Sequence, residues 1–349
     1  MTTAVIRILF LADTHLGFDF AFRPRIQRRR RGPEFFANFE RALRPALEGR
    51  VDCVVHGGDL LYRSNVPAGL VAMAFEPLKA VADRGIPIYL VPGNHERSVI
   101  PHRHLAAHPL IHIFDKPGCF VLQKADLSLA LSGFPFVRRE IRRGFKDILD
   151  QTGLREVRAT AHVLCIHQSV DGATVGPAGY MFRYAPDVIN PADIPKKISA
   201  VLSGHIHRFQ VLTRDLRGHS LPTPIFYSGS IERTSFAEKN EKKGYLILEF
   251  GGNGSGGRLS RWQFKELPAR PMIQLELNPS GKTGAEVASW IQARVDSLPA
   301  DSIVNLRVFG EVSESAKDVL RAASLRAQAP ATMNIDARFI DHSQYAGAR

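Results

Sequence analysis

The sequence predicts an α/β protein, and three observations carry that prediction. Five short runs rich in Val, Ile and Leu read as buried strands. Each ends at or just before a group of Asp, His, Asn and Gly residues, as happens where loops leave the C-terminal edge of an open α/β sheet and converge on a ligand site. A smaller set of alternating strand-like and helix-like patterns follows a Pro-containing break near residue 270.

In chain order, residues 7–12 form the first strand and deliver Asp13-Thr14-His15. Residues 51–56 lead into Gly57-Gly58-Asp59, and residues 86–91 into Gly93-Asn94-His95-Glu96. Residues 161–166 lead into His167, and residues 198–202 into Gly204-His205-Ile206-His207. Side chains two apart on a strand share a face, so Asp13 with His15, and His205 with His207 if that strand continues, are expected to present paired ligands. Residues 245–250 and 259–264 read as two strands, with the Gly-rich residues 251–257 as a flexible hairpin tip rather than a linker. The boundary falls at Pro268-Ala269-Arg270-Pro271, dividing residues 1–268 from residues 271–349. Beyond it come a strand (272–277), an amphipathic helix (284–297), a strand (303–309) and a second helix (313–327), with a frayed tail after His342. No internal repeat is evident.

The ligand types narrow the chemistry. Imidazoles, carboxylates and an Asn amide form a nitrogen and oxygen set without thiolate, which suits Mn, Fe, Zn or Co better than Mg or Ca alone. Two such ions about 3.5 to 4 Å apart can bridge a phosphate, generate hydroxide at neutral pH and neutralise the leaving oxygen. Singly, an Asp-x-His or a Gly-Asp turn is loop punctuation; the ordered series, each member after an apolar run, points to phosphoester hydrolysis.

Charge points to a polyanionic partner: 46 Lys plus Arg stand against 34 Asp plus Glu, a formal net charge of +12. The densest run holds Arg23, Arg25, Arg28, Arg29, Arg30 and Arg31, directly after the first metal motif, where phosphate-backbone contact is expected over a merely solvated loop. Arg138, Arg139, Arg142, Arg143 and Lys146 form a second cluster that reads equally as an exposed helix face. Residues 168–191 carry Tyr180, Phe182, Arg183 and Tyr184. Such a loop either stacks unpaired bases or is anchored by its aromatics, and in both cases it shapes substrate access. His102, His104, His108 and His112 are expected to be surface or packing residues, because Pro101 and Pro109 interrupt the helix that would align them.

Cys53 and Cys165 fall in core strands and Cys119 has no zinc-type partner, so no disulfide framework is expected. The run ending at Ala12 is too short for a membrane span and contains Arg7, so it reads as a strand rather than a signal segment. A cytoplasmic protein without membrane association is expected.

The motifs Leu11-Ala12-Asp13-Thr14-His15-Leu16-Gly17, Gly58-Asp59-Leu60, Val91-Pro92-Gly93-Asn94-His95, Ser203-Gly204-His205-Ile206-His207 and Tyr227-Ser228-Gly229-Ser230-Ile231-Glu232-Arg233, followed by Lys243-Gly244-Tyr245, resemble those of calcineurin-like metallophosphoesterases. Within them they resemble the SbcD-type DNA double-strand-break repair nucleases. The resemblance covers about the first three-quarters of the chain strongly. It implies a sandwich of two mixed sheets flanked by helices, with a small C-terminal α/β capping domain. It also implies two divalent ions, most simply Mn: Asp13, His15 and His207 at the first, Asn94, His167 and His205 at the second, Asp59 bridging. The His matching His95 in the family serves as acid toward the leaving group instead of ligating metal, with Glu96 orienting it or a neighbouring ligand. Tyr180, Arg183 and Arg233 join the arginine run as DNA-facing candidates.

Two departures stand out. Nuclease members commonly carry His three residues past the bridging Asp, where this chain has Tyr62, which cannot serve as a cationic acid at neutral pH; the balance of exonuclease and endonuclease action stays open. Glu96 replaces the usual Asp. The family's partners are DNA, an SbcC-type coiled-coil ATPase held by helices beyond the capping domain, for which this chain has little room, and a second copy of itself, met here by residues 70–81 and 101–107. A metal-dependent DNA nuclease is the leading reading. A small-nucleotide or phosphoprotein esterase and a DNA-binding scaffold with low turnover are the alternatives.

Overall fold

A computed structural model describes residues 4–20, 29–251 and 258–340. The chain divides into two compact units: Met1–Phe20, Arg31–Arg233 and Glu241–Pro268 form one, and Ala21–Arg30, Thr234–Asn240 and Ala269–Arg349 the other. The hairpin tip and the tail after His342 lie outside the described residues. Among those described, no helix is long and apolar enough to cross a membrane.

The first unit opens with β1 (Val5–Leu11), α1 (Gly32–Leu47), β2 (Cys53–His56), α2 (Ala68–Ala82), β3 (Ile88–Leu90) and β4 (Ile111–Ile113). There follow β5 (Gly118–Lys124), β6 (Leu127–Gly133), α3 (Ile141–Gln151), β7 (Ala161–Ile166) and four two-residue strands, β8 (Ser169–Val170), β9 (Thr174–Val175), β10 (Tyr180–Met181) and β11 (Val188–Ile189). It closes with β12 (Ile198–Ser203), β13 (Gln210–Arg214), β14 (Ser220–Tyr227), β15 (Gly244–Gly251) and β16 (Leu259–Glu266). Two six-stranded sheets result, ordered β16-β15-β1-β2-β3-β4 and β13-β14-β12-β7-β6-β5. Each has a parallel centre, β1 to β4 and β14-β12-β7-β6, with antiparallel strands added at its edges. The fold is mixed α/β, two such sheets flanked by helices.

Alternation sorts the side chains of β1 between two cores. Ile6, Ile8 and Phe10 pack with Val163, Leu202 and Phe226 from the other sheet, while Leu9 and Leu11 pack with Phe35, Phe39 and Leu43 of α1 and Leu70, Phe75 and Leu78 of α2. A third cluster places Phe145 and Leu149 of α3 with Leu164 of β7 and Val201 of β12. Strands buried on both faces read as unbroken apolar runs, which is why these were legible.

The second unit contains β17 (Met272–Leu277), α4 (Gly284–Asp296), β18 (Ile303–Val308), α5 (Glu314–Leu320), α6 (Ala322–Ala327) and β19 (Asn334–Phe339), with a parallel β17-β18-β19 sheet. Thr283 and Glu286 cap α4 reciprocally. The single helix expected over residues 313–327 is two: Arg321 is extended (φ −62°, ψ 142°), and the Ser324 hydroxyl donates to the Asp318 carbonyl that the break leaves unpaired (2.7 Å). Strand β19 was not anticipated.

Candidate metal centre

Strands β1 and β12 end at Leu11 and Ser203, short of the motifs they deliver. The expectation that Asp13/His15 and His205/His207 pair by strand alternation therefore fails. Asp13, His15, Asp59 and His205 instead adopt left-handed backbone, φ 52°, 45°, 53° and 83°. Such conformations cost about 1–3 kcal/mol each for non-Gly residues and are held here by cross-loop bonds. Asp13 N–H donates to the Gly58 carbonyl (2.9 Å), His15 N–H to Asp59 (3.0 Å) and Leu16 N–H to Leu60 (2.9 Å), so the loops after β1 and β2 run on together past their sheet.

Asp13, His15 and His207 form one potential metal-holding group, and Asp13, Asp59 and His167 another. His15 Nε2 and His207 Nε2 face each other at 2.9 Å. Asp59 Oδ2 lies 3.5 Å from His167 Nε2, 4.0 Å from His15 Nε2 and 3.8 Å from His95 Nε2. Asn94 Oδ1 lies 2.9 Å from His167 Nε2 and 2.8 Å from His205 Nδ1. The Asp13 carboxylate accepts the His205 main-chain N–H at both oxygens (3.1 Å). All seven expected ligands thus sit together.

The donors fit a pair of cations. His167 Nδ1 donates to the Gly57 carbonyl (2.7 Å), so in the neutral ring Nε2 carries a lone pair, yet it is aimed at oxygens of Asn94 and Asp59. Lone pairs converge like this only around a proton or a metal ion. His15 Nδ1 is buried without a hydrogen-bond partner, so Nε2 is the atom through which that ring is held. Ligands about 2.0–2.2 Å from a common ion lie roughly 3–3.5 Å from each other, close to the separations at the Asn94 and His207 contacts.

Electrostatics tell the same story. Burial resists ionisation of Asp59, but the imidazoles of His167, His15 and His95 overcome it and hold the carboxyl far below its usual range. Burial opposes protonation of His167, which Asp59 nevertheless pushes up to about 9. Burial, with the charge of His167 beside it, pushes His205 down to about 3. Burial likewise drives His15 well below the imidazole range and raises Asp13.

His95 differs from the other rings. Its side chain is 34% exposed where His15 and His167 are fully buried, and its Nδ1–H donates to the Tyr62 carbonyl (2.6 Å), turning Nε2 toward Asp59 and the open side. Tyr62 contributes this carbonyl and packs its ring near His95 (5.7 Å between centroids) and His15 (6.0 Å). Glu96 accepts from the N–H groups of Leu61 and Gly93 (2.7 Å each), so it ties together the two loops that carry Asp59 and Asn94 without touching an imidazole. Both oxygens accepting is the arrangement of a carboxylate, although burial and Asp59 push its pKa up to about 8.

Sequence reasoning passed over three supports. His56 Nδ1 accepts the Gly58 N–H (3.2 Å), so Nε2–H donates to Thr14 Oγ1 (3.1 Å), which donates to the Leu60 carbonyl (3.0 Å). Fully buried Lys243 donates to the His207 carbonyl (2.9 Å) and to Glu241 (3.2 Å). A Cβ on Gly93 would meet Asp59 Oδ1 at 2.1 Å. His56 lay inside an apolar run and Lys243 inside a motif with no assigned role; polar residues at such places were the available signal.

The nucleic-acid candidates differ in their surroundings. Arg23, Arg25 and Arg28 lie outside the described residues. Arg31 corrects the expectation: it is buried, paired with Glu34 and Glu232 (3.4 Å each) and stacked over Phe18 and Phe35, so its charge serves the core beneath α1. Arg29 is exposed and donates to the Thr332 carbonyl (2.9 Å); Arg30 is half-buried. Arg233 donates to the Glu241 carbonyl (3.1 and 2.9 Å). Arg183, Tyr180 and Tyr184 are exposed. Of the four clustered histidines, His112 packs on Tyr89 and Phe120 and His108 meets Asp83; among the described residues none joins a metal-holding group.

Two mixed sheets that bring imidazoles, carboxylates and an amide to one edge define an α/β protein with a potential metal-holding site. The chain belongs to the calcineurin-like phosphoesterase family, whose signature matches residues 6–209. That family uses a dinuclear divalent metal site, and this cluster is compatible with one. The chain is similar to the DNA double-strand break repair protein Mre11 of Aeropyrum pernix, 26% identical over 286 residues and covering 78% of this chain and 63% of that one. It is also similar to the proteins of the same name from Haloferax volcanii (29% identity, 87% and 62% coverage) and Methanosarcina mazei (27%, 88% and 46%). It spans roughly half to just under two thirds of the length of these relatives.

Proposed function

We propose that this chain hydrolyses phosphodiester bonds of DNA with two divalent ions and acts in double-strand-break repair. The observation that carries the proposal is the convergence of ligands from both sheets around Asp59, beside one partly open imidazole, His95. Family membership and the repair proteins among its relatives support it, as does the net charge of +12. Asp13, His15 and His207 would hold one ion and Asn94, His167 and His205 the other, with Asp59 shared. The nitrogen and oxygen donor set favours Mn, with Fe, Zn or Co as substitutes. When bound, such ions polarise the phosphate and neutralise charge on the leaving oxygen.

The protein's own contribution lies in His95. With Nδ1–H fixed on Tyr62, a proton at Nε2 points where the cleft is open and passes to a departing sugar oxygen. Tyr62 stands where a second imidazole would have offered another proton, so a single acid serves the reaction. A coiled-coil ATPase of SbcC type and a second copy of the chain are the protein partners to seek; residues 70–81, where the large apolar side chain of Met73 is 42% exposed, and residues 101–107 are where a second copy would meet this one.

The test is cleavage with Mn of blunt, recessed and single-stranded DNA against a small phosphodiester, for wild type and His95→Ala. DNA cleavage is expected to fall about 10²- to 10⁴-fold on substitution while calorimetric Mn binding persists. Turnover of the small ester alone would overturn the nuclease reading.

A further inference from the structure

A second site stands on the excursion that leaves β7 after His167. Asp171, four residues on and therefore at most about 14 Å from His167 along the chain, is buried and bonds in two directions. Its Oδ1 accepts the Tyr184 main-chain N–H (2.7 Å) and its Oδ2 accepts Arg142 Nη2 (2.9 Å). Arg142 Nη1 donates to the Val188 carbonyl (3.2 Å), and its guanidinium lies over the Tyr184 ring, 5.7 Å from the centroid. Tyr184 is held in left-handed backbone (φ 53°), a conformation glycine would adopt without strain. Yet the ring that incurs this strain is 65% exposed, so its burial does not offset the cost. Strain of this kind, stabilised by a buried carboxylate and spent on displaying an aromatic face, marks a ligand position.

The ring borders a recess of about 300 Å³, at the lower end of small-ligand sites. Arg217, on the turn after β13, and Asn190 line it as well. The Asn190 side-chain oxygen is engaged by the Ala192 N–H (3.1 Å), which leaves its NH₂ to donate. An aromatic face backed by a fixed guanidinium, an amide donor for a base edge and a second guanidinium on the rim match one unpaired nucleotide: base on ring, phosphate at Arg217. Desolvation resists ionisation of Asp215 on the same wall, but the N–H groups of His219 and Arg217 together with the His219 ring outweigh it and lower its pKa; this carboxylate disfavours a bare anion and favours a ligand with a neutral ring.

We propose that this recess is an accessory subsite for an unpaired nucleotide of the substrate strand. The inference rests on the DNA reading above. Its test is fluorescence anisotropy with Mn and the full chain, using a cleavage-resistant phosphorothioate oligothymidylate and a blunt duplex as probes. Tyr184→Gly removes the ring and relieves the backbone, so it folds; Arg217→Ala removes the rim charge. Each is expected to weaken single-strand binding about 10-fold, against less than about 2-fold for the duplex. Wild type binding both probes while both variants bind as wild type would overturn the subsite and leave the nuclease reading intact. Equal loss on both probes would make the recess a general backbone contact and overturn it too. Wild type binding neither probe would instead remove the DNA reading on which the subsite depends.

Discussion

Gly93→Ala gives the sharpest test of the centre, because a single methyl group reaches the shared carboxylate. The Cβ would lie 2.1 Å from Asp59 Oδ1 and 2.4 Å from Asp59 N. Ordinary contact begins at 3.4 Å and the tightest real contacts at 3.0 Å, so Asp59 must retreat by about 0.9 to 1.3 Å. Gly93 is not in the left-handed region, so the effect is steric and not one of backbone strain. Metal ligands tolerate departures of about 0.2 Å, and the main-chain atom of Asp59 cannot rotate away as a long side chain could. Overpacking should cost about 1–3 kcal/mol of stability. Mn affinity should fall at least about 100-fold, beyond the range seen when only a supporting group is lost, and both ions should suffer because the proposed centre shares Asp59 between them. Calorimetry of Mn binding, thermal melting and diester turnover read the three effects, with Gly85→Ala as the comparison: its φ is +81° and nothing lies within 4 Å of its Cβ, so it carries strain without a clash. A Gly93→Ala protein that binds Mn and turns over as wild type would refute the placement of Asp59.

Three further outcomes follow from the same contacts. His56→Leu leaves the Gly58 N–H and the Thr14 hydroxyl without their partner, at about 1–3 kcal/mol. Burial pushes His56 down to about 3, below its unfolded value, so the stability it contributes is full above pH 6.5 and lost as pH falls toward 3. The melting-temperature gap between wild type and variant, measured in chelator, should therefore narrow on acidification; a gap that widens would contradict the neutral, doubly bonded ring. Saturating chelated protein with Mn to about 100 times its dissociation constant should add about 2.7 kcal/mol, and Asp59→Asn should lose most of that shift in a melting scan. Arg31→Gln should lower the melting temperature, removing about 1–3 kcal/mol of buried ion pairing, while the salt dependence of DNA binding keeps its slope; a shallower slope would return Arg31 to the DNA-facing set.

The strands were legible where burial on both faces leaves an unbroken apolar run: β7 matches its expected bounds, and β1, β2 and β3 begin or end within two residues of them. Strand β17 also matches its expected bounds, but through alternation, since Gln274 and Glu276 interrupt its apolar residues. The pause at Arg321 carries no Gly or Pro, so nothing in its composition separates α5 from α6. The metal-binding residue types were also readable, since Asp, His and Asn after successive strands are conspicuous. The means of gathering them was not, because Asp13, His15 and Asp59 meet through left-handed turns that their residue types do not demand. Arg31 shows the complementary blindness: it sits in a basic run, but the acid that buries it, Glu232, comes two hundred residues later and only the fold joins them.

The ligand order along the chain has a structural consequence. Asp13, His15, Asp59 and Asn94 leave the sheet built on β1, β2 and β3, whereas His167, His205 and His207 leave the sheet built on β7 and β12. Between the sheets lies an apolar layer holding Phe10, Val55, Val163 and Leu202, which needs no ion. At its edge each proposed ion takes donors from both sheets, so each would act as a cross-link where the apolar layer runs out. Without cations this edge holds an ionised Asp59 against imidazoles whose pKa values are driven apart, His167 to about 9 and His205 to about 3. That is an arrangement costly in itself and relieved by positive charge at the centre. The sandwich therefore supplies the stability and the edge gives up part of it in readiness for metal, which is why His56, Lys243 and Glu96, none of them among the proposed ligands, each bond the main chain of a loop that carries one.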